Sequence, residues 1–221
     1  MPNWCSTNYY VKSENKNQLF KFYLDCVIAG LKGDWLGRIY EQAGYKTEKT
    51  KEGYTVFAGD DKEWIRCRGH VTNVEICGNP DGKKEVGLED IGKGIEICCE
   101  TAWEPLLNSF ERMLREKYPD LEVLCLAEEC GCEVYVNTDV NHEHFKEKWV
   151  LTANNEDMGY DERTFNYDQE NDLLKTIEEL TGIKYKSVSD VDEEEMLKGY
   201  SKKTGHKSEK CYIALHEYSA Y

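Results

Sequence analysis

The sequence predicts an α+β protein, a small mixed sheet covered by helices on one face. Three observations carry this. Residues Trp4 to Lys12 alternate with a period of two, Cys5, Thr7, Tyr9 and Val11 against Trp4, Ser6, Asn8 and Tyr10, as a strand with two different faces requires. From Asn15 to Leu31 the period lengthens, and Phe20, Tyr23, Leu24, Val27, Ile28 and Leu31 form one helical stripe. Later strands and helices repeat this alternation, and helices with one apolar stripe must bury it on a sheet, giving two layers.

The remaining elements follow in order. Gly30 and Gly33 bracket the end of the first helix. Tyr54 to Ala58 and Trp64 to Cys77 read as strands, the second running into a turn at Gly78-Asn79-Pro80-Asp81-Gly82. A hairpin or meander inserted at about 34–94 accounts for this region. Gly94 to Glu100 is a strand with Ile95, Ile97 and Cys99 on one face. Thr101-Ala102-Trp103-Glu104 has the spacing of a capping box, and Pro105 fits a first helical turn. The helix turns Leu106, Phe110, Met113 and Leu114 inward and stops before Pro119. Leu121 to Glu128 and Cys132 to Asn137 form a hairpin around Gly131.

Residues 1–138 thus read as one α+β domain, and 139–221 as a C-terminal α+β extension packed on it or continuous with it. In the extension, Lys148 to Ala153 is a strand, and Leu173, Leu174, Ile177 and Leu180 mark a helix stopped by Gly182. Ser189 to Gly199 is a second short helix, and Lys210 to Glu217 a closing strand.

Composition bounds the function. The 221 residues carry a formal net charge of −15, which argues against a general nucleic-acid binder, because phosphate contacts need Lys and Arg. The same acidity suits a soluble surface, or an imitation of a polyanion that occupies a partner's basic groove. No run of about 18 apolar residues is present, so no membrane span is expected. The N-terminus has no basic segment followed by an apolar stretch, so a secretory signal is not expected. The ten cysteines lie mostly in apolar or alternating runs, which reads as reduced thiols in a cytoplasmic protein.

Two stretches bear on family. Met1-Pro2-Asn3-Trp4-Cys5, with Asn8 beyond it, resembles the start of a family of uncharacterised proteins from phages, plasmids and bacterial genomes. Thr101-Ala102-Trp103 with Pro105, then Tyr118-Pro119, then Ala127-Glu128-Glu129 and Gly131, is similar to the ferredoxin-like domain of that family. Together they cover about half of the chain, and Cys130 and Cys132 at the hairpin depart from the pattern. The resemblance implies a ferredoxin-like fold and a mobile-element origin. It brings no catalytic residues.

Candidate chemistry is sparse. Cys130-Gly131-Cys132 followed by His142-Glu143-His144 is the metal candidate, two thiolates and two imidazoles for a tetrahedral zinc ion. The single-residue gap makes poor chelate geometry, so no cofactor is expected and zinc stands as the alternative. Cys98 and Cys99 point to opposite faces of a strand, and Glu96 and Glu100 flank them, which disfavours a thiolate. Asp190 to Glu195 lacks the glycine and terminal glutamate of a calcium loop, Ser201 standing at its twelfth position, and reads as an acidic, N-capped helix start. Asp60-Asp61 and Glu128-Glu129 are neighbouring carboxylates that diverge on a strand. No phosphate loop, nucleophile elbow or zinc-protease motif occurs.

Aromatics are more suggestive. Trp4, Trp64, Trp103 and Trp149, with fifteen tyrosines, exceed what a small core needs. The leading expectation is a non-enzymatic module that binds a protein partner, with Trp4, Trp103, Glu128, Glu129 and Trp149 as contact candidates. A narrower form is an acidic inhibitor of a nucleic-acid-binding or defence protein. A zinc-dependent protein using Cys130, Cys132, His142 and His144 is the third.

Overall fold

Strand β1 (Trp4–Lys12) is the middle strand of the first of two units, residues 1–138 and 139–221, into which the chain divides. The computed structural model describes residues 3–58, 63–77, 86–92, 94–158 and 163–220. The Gly78–Gly82 turn and the Asp60-Asp61 pair lie outside the described residues. Cys5, Thr7, Tyr9 and Val11 of β1 are fully buried, while Ser6 on the opposite face is exposed.

Helix α1 (Lys16–Leu31) starts where the Asn15 side chain accepts a hydrogen bond from the Gln18 amide. It buries a different stripe from the one expected. Leu19, Phe22, Cys26 and Ala29 face the core, whereas Leu24 and Ile28 are exposed and Leu31 is 84 % exposed. This helix is apolar on most sides, so period alone does not choose a face. Phe22 does: its ring meets those of Tyr118 at 4.9 Å and Phe110 at 6.2 Å.

Helix α2 (Gly37–Gln42) and strands β2 (Lys46–Thr50), β3 (Gly53–Ala58) and β4 (Glu63–Cys67) come next, the strands forming a separate antiparallel sheet in the order β2-β3-β4. The single strand expected over Trp64–Cys77 is therefore broken at Arg68, because β5 (Gly69–Ile76) joins the main sheet. Gly69 permits the transfer: a Cβ there would sit 3.0 Å from the Glu100 carbonyl oxygen and 3.1 Å from Thr101 Cγ2. The stretch read as one insertion at about 34–94 is thus divided between two sheets.

Strand β6 (Gly94–Ala102), helix α3 (Leu107–Lys117) and strands β7 (Glu122–Glu129) and β8 (Val134–Asn137) complete the unit. The main sheet has the order β5-β6-β1-β7-β8 and is antiparallel throughout. Its core face packs on α1 and α3, with Tyr9 stacked on Phe110 at 4.3 Å and 3°. The capping box expected at Thr101 does not form. Thr101 stays in β6, its hydroxyl 2.9 Å from that of Thr7, and α3 begins after Leu106 with no side-chain cap. Leu107, not Leu106, is the buried residue of that first turn. Cys132 belongs to a short 3-10 turn, Cys130–Cys132, rather than to β8.

The second unit has its own sheet, β10-β9-β11, from β9 (Trp149–Asn155), β10 (Arg163–Tyr167) and β11 (Cys211–Glu217). Helices α4 (Glu170–Thr181) and α5 (Glu193–Thr204) pack on it through Leu173, Ile177, Met196 and Tyr200. Gly182 ends α4 at φ 76°. The helix expected over Ser189–Gly199 is displaced: Val188–Asp190 is a 3-10 turn, and Asp192 caps α5 by accepting from the Glu195 amide at 2.8 Å. The acidic run is a helix start, with Glu193, Glu194 and Glu195 near the positive end of the dipole. Among the described residues, no helix is long and apolar enough to cross a membrane.

Candidate functional site

Four strands of the main sheet bring one end each to the same edge of the first unit. These are the start of β1, the start of β5, the end of β6 and the end of β7, by their antiparallel registers. Trp4 pairs with Ala102, so Trp4 and the following Trp103 both stand at this end, 42 % and 45 % exposed. The Trp103 amide donates to the Asn3 carbonyl at 2.9 Å, and the Ala102 amide to that of Arg68 at 2.9 Å. These bonds hold Trp103 at φ 75°, a left-handed conformation that is strained for a bulky residue.

One row of outward side chains crosses the sheet just inside this end. His70, Glu100, Ser6, Glu128 and Tyr135 are successive cross-strand partners, Tyr135 being buried. Glu100 and Ser6 are exposed, and Glu128 is half-buried. Their positions follow from the period of two, since Thr7, Cys99 and Thr101 take the core side. Two carboxylates thus flank a serine, with one strand between them.

At the edge of the row, His70 is enclosed by aromatics. Its ring lies 4.0 Å from Trp35 and 5.5 Å from Trp4, and its Nδ1 is 3.3 Å from Asp34 Oδ2. The segment Asp34–Leu36 is laced to β5 by backbone bonds, Val71 N to Asp34 O at 2.6 Å and Leu36 N to Gly69 O at 2.9 Å. His70, Asp34 and Trp35 escaped the sequence reading. Nothing in short-range pattern links residue 35 to residue 70; the adjacent Gly33 and the aromatic after an acid were the only signals.

The other contact candidates separate. Glu129 is 6 % exposed, and its carboxylate accepts from the amides of Gly131, at 3.0 Å, and Cys132. It caps the turn, leaving Glu128 to face outward. Trp149 is in the second unit, half-buried and packed against that unit's own core.

The zinc candidates are distributed over both units. Cys130 and Cys132 flank Gly131 in the first unit's turn, where the neighbouring Glu129 carboxylate holds the Cys132 thiol above its ordinary value. His142 and His144 belong to the second unit. His142 has φ 51° and a ring nitrogen 3.2 Å from the Phe145 carbonyl oxygen. The amides of His144 and Phe145 donate to Asp139 Oδ2 at 2.7 and 3.1 Å.

Several thiols are held toward their protonated form. Burial pushes the Cys67 thiol up to about 12, and burial together with Glu96 pushes Cys77 up to about 12. Cys98 is also raised, by burial first and then by Glu96 and Glu75. A nucleophilic cysteine needs the opposite, a cationic neighbourhood that favours thiolate. This sheet end carries two half-exposed indoles, a histidine ring tilted against a third, and the Glu100 and Glu128 carboxylates on the face opposite the core. Comparison with protein-family profiles, curated proteins and solved structures finds no match to the chain.

Proposed function

We propose that this chain is a non-enzymatic protein-binding module that presents the Trp4–Trp103 end of its main sheet to a partner with a basic surface. The observation that carries this is the pair of half-exposed indoles at one sheet end, beside the outward Glu100 and Glu128. Tryptophans of this kind are the usual anchors of protein interfaces, and rim charges set orientation and association rate. The strained backbone at Trp103 supports the reading, because strain is retained where it serves a function.

The order β5-β6-β1-β7, with α1 after β1 and α3 after β6, supports a ferredoxin-like reading of the first unit. In that reading α2 and β2–β4 are the insertion and β8 is an added edge strand. The likeness of Met1–Cys5 to a phage and plasmid family supports a mobile-element origin. The acidic row also supports the narrower role, an inhibitor that fills a basic groove on its target.

The test is a pull-down from bacterial lysate with the wild-type chain and with a Trp4→Ala, Trp103→Ala double variant. One stoichiometric partner is expected, released as salt is raised and lost with the double variant. No stoichiometric partner, or equal capture by both chains, overturns the proposal.

A further inference from the structure

The small sheet turns one face to the core through Tyr54, Val56, Ala58 and Cys67. Its other face is open. Register places Phe57 opposite Trp64 and Thr55 opposite Arg66 on that face. Lys46 is the next partner of Phe57, its ammonium 5.1 Å from the ring centroid. Trp64 is 66 % exposed. An indole so open, with an aromatic neighbour, is not serving the core of this unit.

Trp64 forms one wall of a cleft of about 440 Å³, with Thr50, Lys51, Glu52, Thr55 and Arg66 around it. That volume lies within the range of small-molecule sites, roughly 300–1,000 Å³. The polar groups form a surface ion pair. Arg66 Nη2 donates to Glu52 Oε2 at 2.7 Å, and Arg68 Nη2 lies 3.5 Å from the same oxygen. Glu52 Oε1 is outside these contacts, and the remaining guanidinium N–H groups of Arg66 are further donors. Donor and acceptor therefore stand side by side at the foot of a flat apolar ring.

Charge selects among ligands. The charged groups lining the cleft are Lys51 and Arg66 against Glu52, of mixed sign within a chain of −15. A phosphate or carboxylate ligand would meet the Glu52 carboxylate and the field of the whole chain. A cation would meet Arg66 and Lys51. A neutral ring with apolar C–H faces and a rim of hydroxyls meets neither penalty, since each hydroxyl both donates and accepts.

We infer that the cleft beside Trp64 is a binding site for a neutral saccharide, one ring stacked on the indole with its hydroxyls shared between Arg66 and Glu52. The sheet end carrying Trp4 and Trp103 takes no part in it, so either proposal can fail alone.

The test is saturation-transfer NMR on the full chain with cellotriose, maltotriose and xylotriose, followed by calorimetric titration of any that binds. At least one is expected to bind saturably, with an affinity unchanged by salt and by Trp4→Ala. Trp64→Ala should weaken it about tenfold, the worth of one aromatic contact, and Trp64→Phe less. Glu52→Ala should also weaken it, and circular dichroism of each variant should match wild type. Three results would each overturn the inference: no saturable binding by any of these sugars, an affinity indifferent to Trp64→Ala, or salt-dependent displacement of the sugar by an oligo-dT strand.

Discussion

His70 Nδ1 lies 3.3 Å from Asp34 Oδ2 while the His70 ring rests 4.0 Å from Trp35, so one side chain fastens the Asp34–Leu36 segment to the edge of the main sheet in two ways. The two contacts differ in worth. Asp34 is largely exposed, and an exposed pair contributes little.

Asp34→Asn is therefore expected to change stability by less than about 0.5 kcal/mol, whereas Trp35→Ala costs about 2 kcal/mol. Urea unfolding of both variants decides the order. A larger loss from Asp34→Asn would make the charge, not the ring contact, the fastening.

Glu129 closes the Cys130–Cys132 turn by accepting from two backbone amides while buried. Glu129→Ala leaves both donors without their partner and is expected to cost about 1–3 kcal/mol. Glu128→Ala, one residue away and facing outward, should cost less than about 0.5 kcal/mol. Chemical denaturation of the pair tests this, and equal losses would show that the cap carries no weight.

Asp139 is buried, which opposes its ionisation, yet the amides of His144, Phe145 and Glu143 and the charge of His142 together hold its carboxyl below the ordinary range. A carboxyl depressed in the folded state stabilises above its unfolded value, near about 3.9, and the contribution is lost as pH falls through the folded value. Asp139→Asn should thus lower stability by about 1 kcal/mol at neutral pH and make the stability curve flatter below about pH 4. Urea midpoints measured across that range check it. Parallel curves for variant and wild type would remove Asp139 from the acid response.

Leu31 and Phe22 lie on opposite sides of α1, one 84 % exposed and the other fully buried. Leu31→Gln is expected to leave stability within about 0.5 kcal/mol, and Phe22→Ala to cost about 3–5 kcal/mol. Thermal unfolding separates them. A large loss from Leu31→Gln would mean that this helix face is covered in solution.

Much of the architecture was readable in advance for a local reason. The alternation in Trp4–Lys12 and the turn glycine at Gly182 act over a few residues, and β1 and α4 stand where those signals placed them. Phase and partnership were not local. Period alone picks the wrong side of α1 because apolar residues occupy both faces, and only the rings of Phe110 and Tyr118 select Phe22. Thr101 had the spacing of a cap, but a hydroxyl across the sheet at Thr7 claimed it.

By itself, then, the sequence determined an acidic α+β chain with two strand-and-helix segments and a surplus of tryptophan. Periodicity, charge and composition are properties of the chain before it folds. Only the tertiary structure decided that Trp4 and Trp103 share one sheet end, that Trp149 joins a different core, that Glu129 is a cap, and that Trp64 stands open beside a paired Arg66 and Glu52. Apart from the Glu129 cap, which closes a local turn, those relations join residues distant in sequence through strand pairing and packing, and register is set by how the buried face packs.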